Sequence, residues 1–284
     1  NYGYATDTDF TAGSQLQGRI ITVIGDSYVV ALEVANPLSF HGLIQKTEDD
    51  FVLYPLGMSG SPLSQYVAFA DYASTNFDPD TFVFVLIDND FDESWKSVNK
   101  GPGFHYFTQD GQLERLDYKP PLIIKLLRQS AFFRYLQIDL KVITQANLYL
   151  SNMFSGDIDL EIALQEKKKD QLELLGFKAA DLFLKKIEEL SLDKQVVVLI
   201  DGDRESIYAD KSKRDEGKVF NRWANKIIHD LKNHNNIQLV DMHLHFAKDW
   251  KLHRRKFNYD YDFHWNEHGH MIVAQALIPE IKHK

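Results

Sequence analysis

The sequence predicts an α/β fold: a three-layer αβα sandwich around a mainly five-stranded parallel sheet, with a large insertion after the third strand. Three observations predict it. Five short β-branched or apolar runs read as buried strands: Arg19–Ile24, Phe51–Tyr54, Thr81–Ile87, Gln195–Ile200 and Ile237–Asp241. Amphipathic segments separate most of them, and that alternation implies right-handed crossovers covering both sheet faces. A hydrophobic share of 44% and an aromatic share of 13% in 284 residues can fill a large core.

The elements follow in chain order. Tyr28–Val34 reads as a helix after the first strand. Ser61 as N-cap and Pro62 at the first helical position open a helix through Ala73. Phe220–Leu231 fits a helix before the fifth strand. His268–Ile281 fits a final one, with Met271, Ala274, Leu277, Ile278 and Ile281 on one stripe. The segment from Asp90 to Lys194 is far longer than the ~10–12 residues of a minimum crossover. In it, Phe104–Phe107 and Leu113–Tyr118 flank Asp110-Gly111 as a small hairpin. Pro120-Pro121 breaks the chain, and helical patterns follow at Leu122–Leu136 and Ile158–Leu190. The second carries Leu172, Leu175, Ala179, Leu182, Phe183, Ile187 and Leu190 on one face, with Lys167–Lys169 as solvated helix surface. The whole chain, 1–284, reads as a single domain in which 91–194 is an insertion: a lid, a partner-binding cap, or extra packing.

Composition excludes several functions. The chain has no cysteine, which removes disulfides, Cys-ligated metals and a thiol nucleophile. Its 32 Lys+Arg against 41 Asp+Glu give a formal charge of −9, the wrong sign for a nucleic-acid partner. No apolar run approaches the roughly 18–20 residues of a membrane span. The chain starts at Asn1 rather than Met, so a processed chain is expected, exported, periplasmic or membrane-anchored before removal of a leader, with the cytoplasm as the other option. The oligomeric state is not readable.

Four segments carry chemistry. Ile21–Ile24 leads into Gly25-Asp26-Ser27, a serine at the carboxyl end of a buried strand, where open parallel sheets bind ligands. Such a serine can be nucleophile and oxyanion donor, or simply a helix cap. Gly57-Met58-Ser59-Gly60 follows the second strand, and its glycines let amides approach a ligand. Asp88-Asn89-Asp90 ends the third strand; Asn89 can donate to an oxyanion, or the three form an Asx turn. Last, Asp260–His270 holds His264 near Asp260 and Asp262, the makings of a general base with an orienting acid. His264 and His268, four apart, also permit a metal reading, though no Glu follows the first histidine as in His-Glu-x-x-His.

Together the four blocks resemble those of the GDSL-type, or SGNH, hydrolases. The resemblance covers most of the chain outside 91–194 and implies the flavodoxin-like fold of that family. It makes Ser27 the nucleophile, with Ser27, Gly60 and Asn89 as the oxyanion hole. It makes His264 the base and Asp262 its acid, with Asp260 as the competing choice. The stretch Asp262-Phe263-His264-Trp265-Asn266-Glu267-His268-Gly269-His270 looks like the Asp-x-His-Trp-Asn-x-x-Gly-His ending of a bacterial subgroup, and Asp201-Gly202-Asp203-Arg204 and Val240-Asp241 also look like it. Tyr28 stands where the family name has Leu, Ile87 replaces the usual Gly two residues before Asn89, and no acid lies three before His264.

The resemblance implies acyl transfer without cofactor or metal. The expected reaction is hydrolysis of an acetyl or other small acyl ester, on a carbohydrate or another small molecule, through an acyl-serine. The same triad serves an O-acyltransferase acting on polysaccharide. A non-catalytic binding module of a polysaccharide-assembly complex is the remaining alternative. Trp95, Phe104, Tyr106, Trp250 and Trp265 are candidates to stack on sugars, or core residues.

Overall fold

Strands buried on both faces require apolar side chains at nearly every position, and the Ile/Val/Phe runs supply them. The computed structural model describes Tyr4, Thr6, Phe10 and residues 18–119, 158–232, 234 and 236–282, with backbone only at Asn89 and 158–168. β1 (Arg19–Gly25), β2 (Phe51–Gly57), β3 (Thr81–Leu86), β6 (Gln195–Ile200) and β7 (Ile237–Asp241) form one parallel sheet. Their order is β2-β1-β3-β6-β7, so the winding reverses between β1 and β3. That switch point is where such sheets bind ligands. β4 (His105–Phe107) and β5 (Leu113–Arg115) form the separate antiparallel hairpin.

Alternation along each strand feeds two cores. Phe82, Phe84 and Leu86 face a layer formed by α3 (Leu63–Asn76), α4 (Ile158–Leu190) and α6 (Val219–Leu231). Val83 and Val85 face the other layer. That layer holds α1 (Ser27–Val30), α2 (Phe40–Thr47), α7 (Met242–His253) and α8 (Glu267–Lys282); α5 (Arg204–Tyr208) is a short helix after β6. The structure is therefore a three-layer αβα sandwich. Among the described residues, no helix is long and apolar enough to cross a membrane.

Several boundaries differ from the sequence expectation, each for a physical reason. α1 stops at Val30 because Ala31 turns left-handed, φ 53° and ψ 45°. α3 begins at Leu63; Pro62 is its N-cap, and Ser61 is buried, its hydroxyl unpartnered among the described residues. β2 runs on through Pro55, which an edge strand tolerates because one side of its backbone has no ladder partner. In α8, Met271 is exposed while Ile272 and Val273 are buried, so the covered face lies beside the expected stripe at that turn and does not include Met271. The end of α4 is no appendage: Ala179, Phe183 and Ile187 are fully buried against the sheet. The helical pattern at Leu122–Leu136 lies outside the described residues.

Two buried histidines lock α2 in place. His41 bonds Val29 O at 3.1 Å and Ser39 Oγ at 3.2 Å through its two nitrogens. His270 Nδ1 accepts from Phe40 N–H at 3.3 Å, and its ring stacks on Phe40. Burial pushes His41 down to about 4 and His270 down to about 3. Both therefore stay neutral in the folded chain but titrate near 6.5 when it unfolds. The unfolded chain binds more protons below that pH, so stability is fully present above about pH 6.5 and is lost as pH falls. Denaturant unfolding between pH 6.5 and 5, above the carboxylate range, should show a loss of up to about 1.4 kcal/mol per pH unit for each histidine. A flat profile across that window would contradict the assignment of two buried neutral imidazoles.

Candidate active site

Ser27 sits where β1 gives way to α1. Gly25 makes that corner possible, because a Cβ there would meet Val29 Cγ2 at 2.4 Å. Asp26 caps the turn: its buried carboxylate accepts from Tyr28 N–H at 2.9 Å and lies 3.2 Å from Ser27 Oγ. Burial pushes the Asp26 carboxyl up, against hydrogen bonds that lower it.

His264 arrives from the other end of the chain. Its Nε2 lies 2.7 Å from Ser27 Oγ, and its Nδ1 lies 2.5 Å from Asp262 Oδ1. The same Asp262 oxygen accepts from His264 N–H at 2.9 Å, which fixes carboxylate and ring together. A serine hydroxyl has one proton, and the shorter contact directs it to His264 rather than to Asp26. Asp260, the competing acid, instead pairs with Lys256 at 2.5 Å.

The residues around His264 explain why its loop holds one shape. Trp265 is fully buried and donates its indole N–H to Asp201 at 3.1 Å. Asn266 accepts from Gly269 N–H at 3.0 Å, capping α8, and donates to Lys256 O and Asn258 O. Gly269 lets the helix approach Phe257 O, which a Cβ would meet at 2.4 Å. Arg204 then ties the two halves together. It donates to Asp201 at 2.9 Å, to Tyr28 Oη at 2.8 Å and to Phe263 O, while Tyr28 Oη donates to Phe263 O at 2.7 Å. Sequence reading flagged Asp201–Arg204 only by resemblance and missed this clamp. Its partners lie far apart in the chain, so no local pattern could show it.

The site opens on a cleft of about 700 Å³, lined by Ser27, Gly60, Ile87, Asp88 and His264 among others. Gly60 has φ +77°, and the space where a Cβ would stand is open. Asn89 follows β3 on the same edge; its side chain lies outside the described residues. One wall is ionic. Lys218 bridges Asp203 and Glu205 at 2.7 Å each. Burial alone would raise the Asp203 carboxyl, but bonds from Lys218, Asp215 N–H and Ser206 outweigh it and hold the group well below the usual range.

The sequence-level metal pair is not assembled, since His268 turns away to bond Asp249 at 2.7 Å. Glu33, Asp262 and His264 do group, with ligand atoms within 4.8 Å of one another. The aromatic candidates also disperse. Trp95, Tyr106 and Trp265 are buried, and neither Phe104 nor Trp250 lines the cleft. Among its lining residues Phe263 offers a largely exposed ring, 73% exposed.

No protein-family profile and no curated protein matches the chain. Solved structures do. One is a member of the lipolytic protein G-D-S-L family from Veillonella parvula DSM 2008: TM-score 0.50, 12% identity, covering 92% of this chain and 96% of that one. Another is an alpha/beta hydrolase enzyme from the metagenome of Lake Arreo, Spain: TM-score 0.51, 14% identity, covering 95% and 96%. The fold is that of the SGNH/GDSL-type hydrolases. In this SGNH fold, the clamp built on Arg204 joins the first strand's end to the last helix's approach. Arg204→Ala leaves Asp201 buried without its cation, so unfolding free energy should drop by about 3 kcal/mol. Lysine should not restore it, because one ammonium cannot reproduce the guanidinium fork. Chemical denaturation of both variants measures this; wild-type stability in either would contradict the clamp.

Proposed function

We propose that the protein is a serine esterase that hydrolyses acetyl or other small acyl esters, most readily on a carbohydrate, through an acyl-Ser27 intermediate. The observation that carries this reading is the unbroken chain Ser27 Oγ–His264–Asp262, at 2.7 and 2.5 Å, opening on the cleft. Ser27 Oγ attacks the ester carbonyl while His264 Nε2 takes its proton. Asp262 holds the Nδ1–H tautomer and stabilises the imidazolium. The amides of Ser27 and Gly60 and the side chain of Asn89 are assigned to the oxyanion. His264 then returns the proton to the departing alcohol. Water attacks the acyl-serine, with His264 again accepting the proton, and the acid and free Ser27 are released.

The carbohydrate part of the reading rests on the cleft. Its charged wall offers carboxylate acceptors to hydroxyl groups, and Phe263 borders it with an exposed ring face. Apolar ring faces next to hydroxyl acceptors suit a sugar, which has both kinds of surface. The likeness in fold to a lipolytic G-D-S-L member agrees with ester cleavage.

Steady-state kinetics on p-nitrophenyl acetate and on acetylated oligosaccharides test both parts. Ser27→Ala should lower kcat about a thousandfold or more; unchanged turnover would sink the reading. Phe263→Ala should raise KM for the sugar ester by about 3–10-fold, the worth of one aromatic contact, and less for p-nitrophenyl acetate. An equal effect on both substrates would remove the sugar platform.

A further inference from the structure

We infer that Glu33 is a second carboxylate serving His264, a positioning residue that backs Asp262. The inference rests on the reading of His264 as the base for Ser27. Glu33 Oε1 lies 3.4 Å from His264 Nδ1, the nitrogen that Asp262 engages at 2.5 Å. A triad needs one acid on that atom; here two acidic side chains converge on it.

The backbone is bent to put Glu33 there. A helix continuing through Val34 would carry residue 33 along its own axis. Instead Ala31 takes a left-handed conformation, φ 53°, which a residue with a Cβ adopts at a cost. Ala31 is itself buried, and the chain turns sharply, leaving Leu32 exposed. Tyr259 Oη then donates to Glu33 O at 3.1 Å, fastening this turn to the segment that leads to His264. The loop of the nucleophile and the loop of the base are thus pinned together at residue 33.

Glu33 also gives up solvation to sit there. Its Oε2 is buried and accepts no hydrogen bond among the described residues. A glutamate on a surface turn keeps both oxygens in water unless something else favours the buried position. The group opposite is His264 Nδ1. That nitrogen keeps its proton throughout the reaction. The Ser27 O–H bond breaks, the new N–H bond forms at Nε2, and the ring becomes a cation. No proton passes to Glu33. A second carboxylate attracts the cation more than the neutral ring, so it favours the transition state over the resting enzyme. It also offers Nδ1–H an acceptor when Asp262, part-exposed at the surface, swings away.

The test is a double-mutant cycle on p-nitrophenyl acetate with the full chain, comparing wild type, Glu33→Gln, Asp262→Ala and the double variant, with Ser27→Ala as control. Glu33→Gln should lower kcat about 3–10-fold with KM within about twofold. Asp262→Ala should stay above the Ser27→Ala level. Removing Glu33 in that background should cost about 30-fold or more, because Glu33 is then, among the described residues, the carboxylate left on Nδ1. Three results would overturn the proposal: equal losses in both backgrounds, an Asp262→Ala protein already at the Ser27→Ala level, or losses that only track a lowered melting temperature. Wild-type turnover in Ser27→Ala would instead remove the esterase reading itself, so the two failures are distinct.

Discussion

The hydrogen bond between Ser27 and His264 spans 237 positions of sequence, and much of the structure exists to hold its two ends 2.7 Å apart. The proton transfer proposed for this pair would tolerate little error, since displacing a catalytic group by about 1 Å costs on the order of a hundredfold in rate. One end is rigid because it terminates a central strand of the sheet. The other end is a loop, and loops are the least fixed part of a fold. It is fixed here by what surrounds it. Trp265 is fully buried and bonded to Asp201, Asn266 caps the following helix, and Arg204 spans Asp201, Tyr28 and Phe263 O. Tyr28 packs against His264 with ring centroids 4.8 Å apart. Where the GDSL pattern that the sequence resembles has Leu, this chain has a residue that packs against the histidine and also donates.

The sheet order places the chemistry. With β1 and β3 adjacent and the winding reversed between them, the carboxyl ends of both strands border one crevice. Ser27 follows β1, and Asp88-Asn89 follows β3. The charged wall formed by Asp203, Lys218 and Glu205 comes from the segments after β6. The bonds from Lys218, Asp215 N–H and Ser206 hold the Asp203 carboxyl well below the usual range, so it can accept from hydroxyl groups without first losing a proton. On the opposite layer, His41 and His270 are neutral for the contrary reason, burial without a charged partner. Environment alone makes one set of ionisable groups charged and the other structural.

What was legible in the sequence divides along a physical line. Strands announced themselves because burial on both faces demands continuous apolar runs; β6 and β7 fall on the expected residues. Helices were harder. α2 buries only Phe40, His41 and Ile44, and α7 carries three histidines and two lysines, so neither shows a clean apolar stripe. The end of α1 depends on a left-handed alanine, which no propensity foretells. The meeting of Ser27, His264 and Asp262 was expected from short motifs whose neighbours, such as Trp265, Asn266 and Gly269, have packing and capping partners of their own. Arg204 and Glu33 were not. Arg204 meets Tyr28 across 176 positions, and Glu33 meets His264 near the far end of the chain, Oε1 to Nδ1 at 3.4 Å. Only the folded backbone brings such pairs together.

The central claim is that Ser27 is an activated nucleophile. A fluorophosphonate probe reports this directly, because it bonds only to a serine whose proton is being removed. The account predicts one adduct per folded chain, located by peptide mass spectrometry on Ser27 and absent in His264→Ala. A folded protein that takes no label, or takes it on another residue, would contradict it.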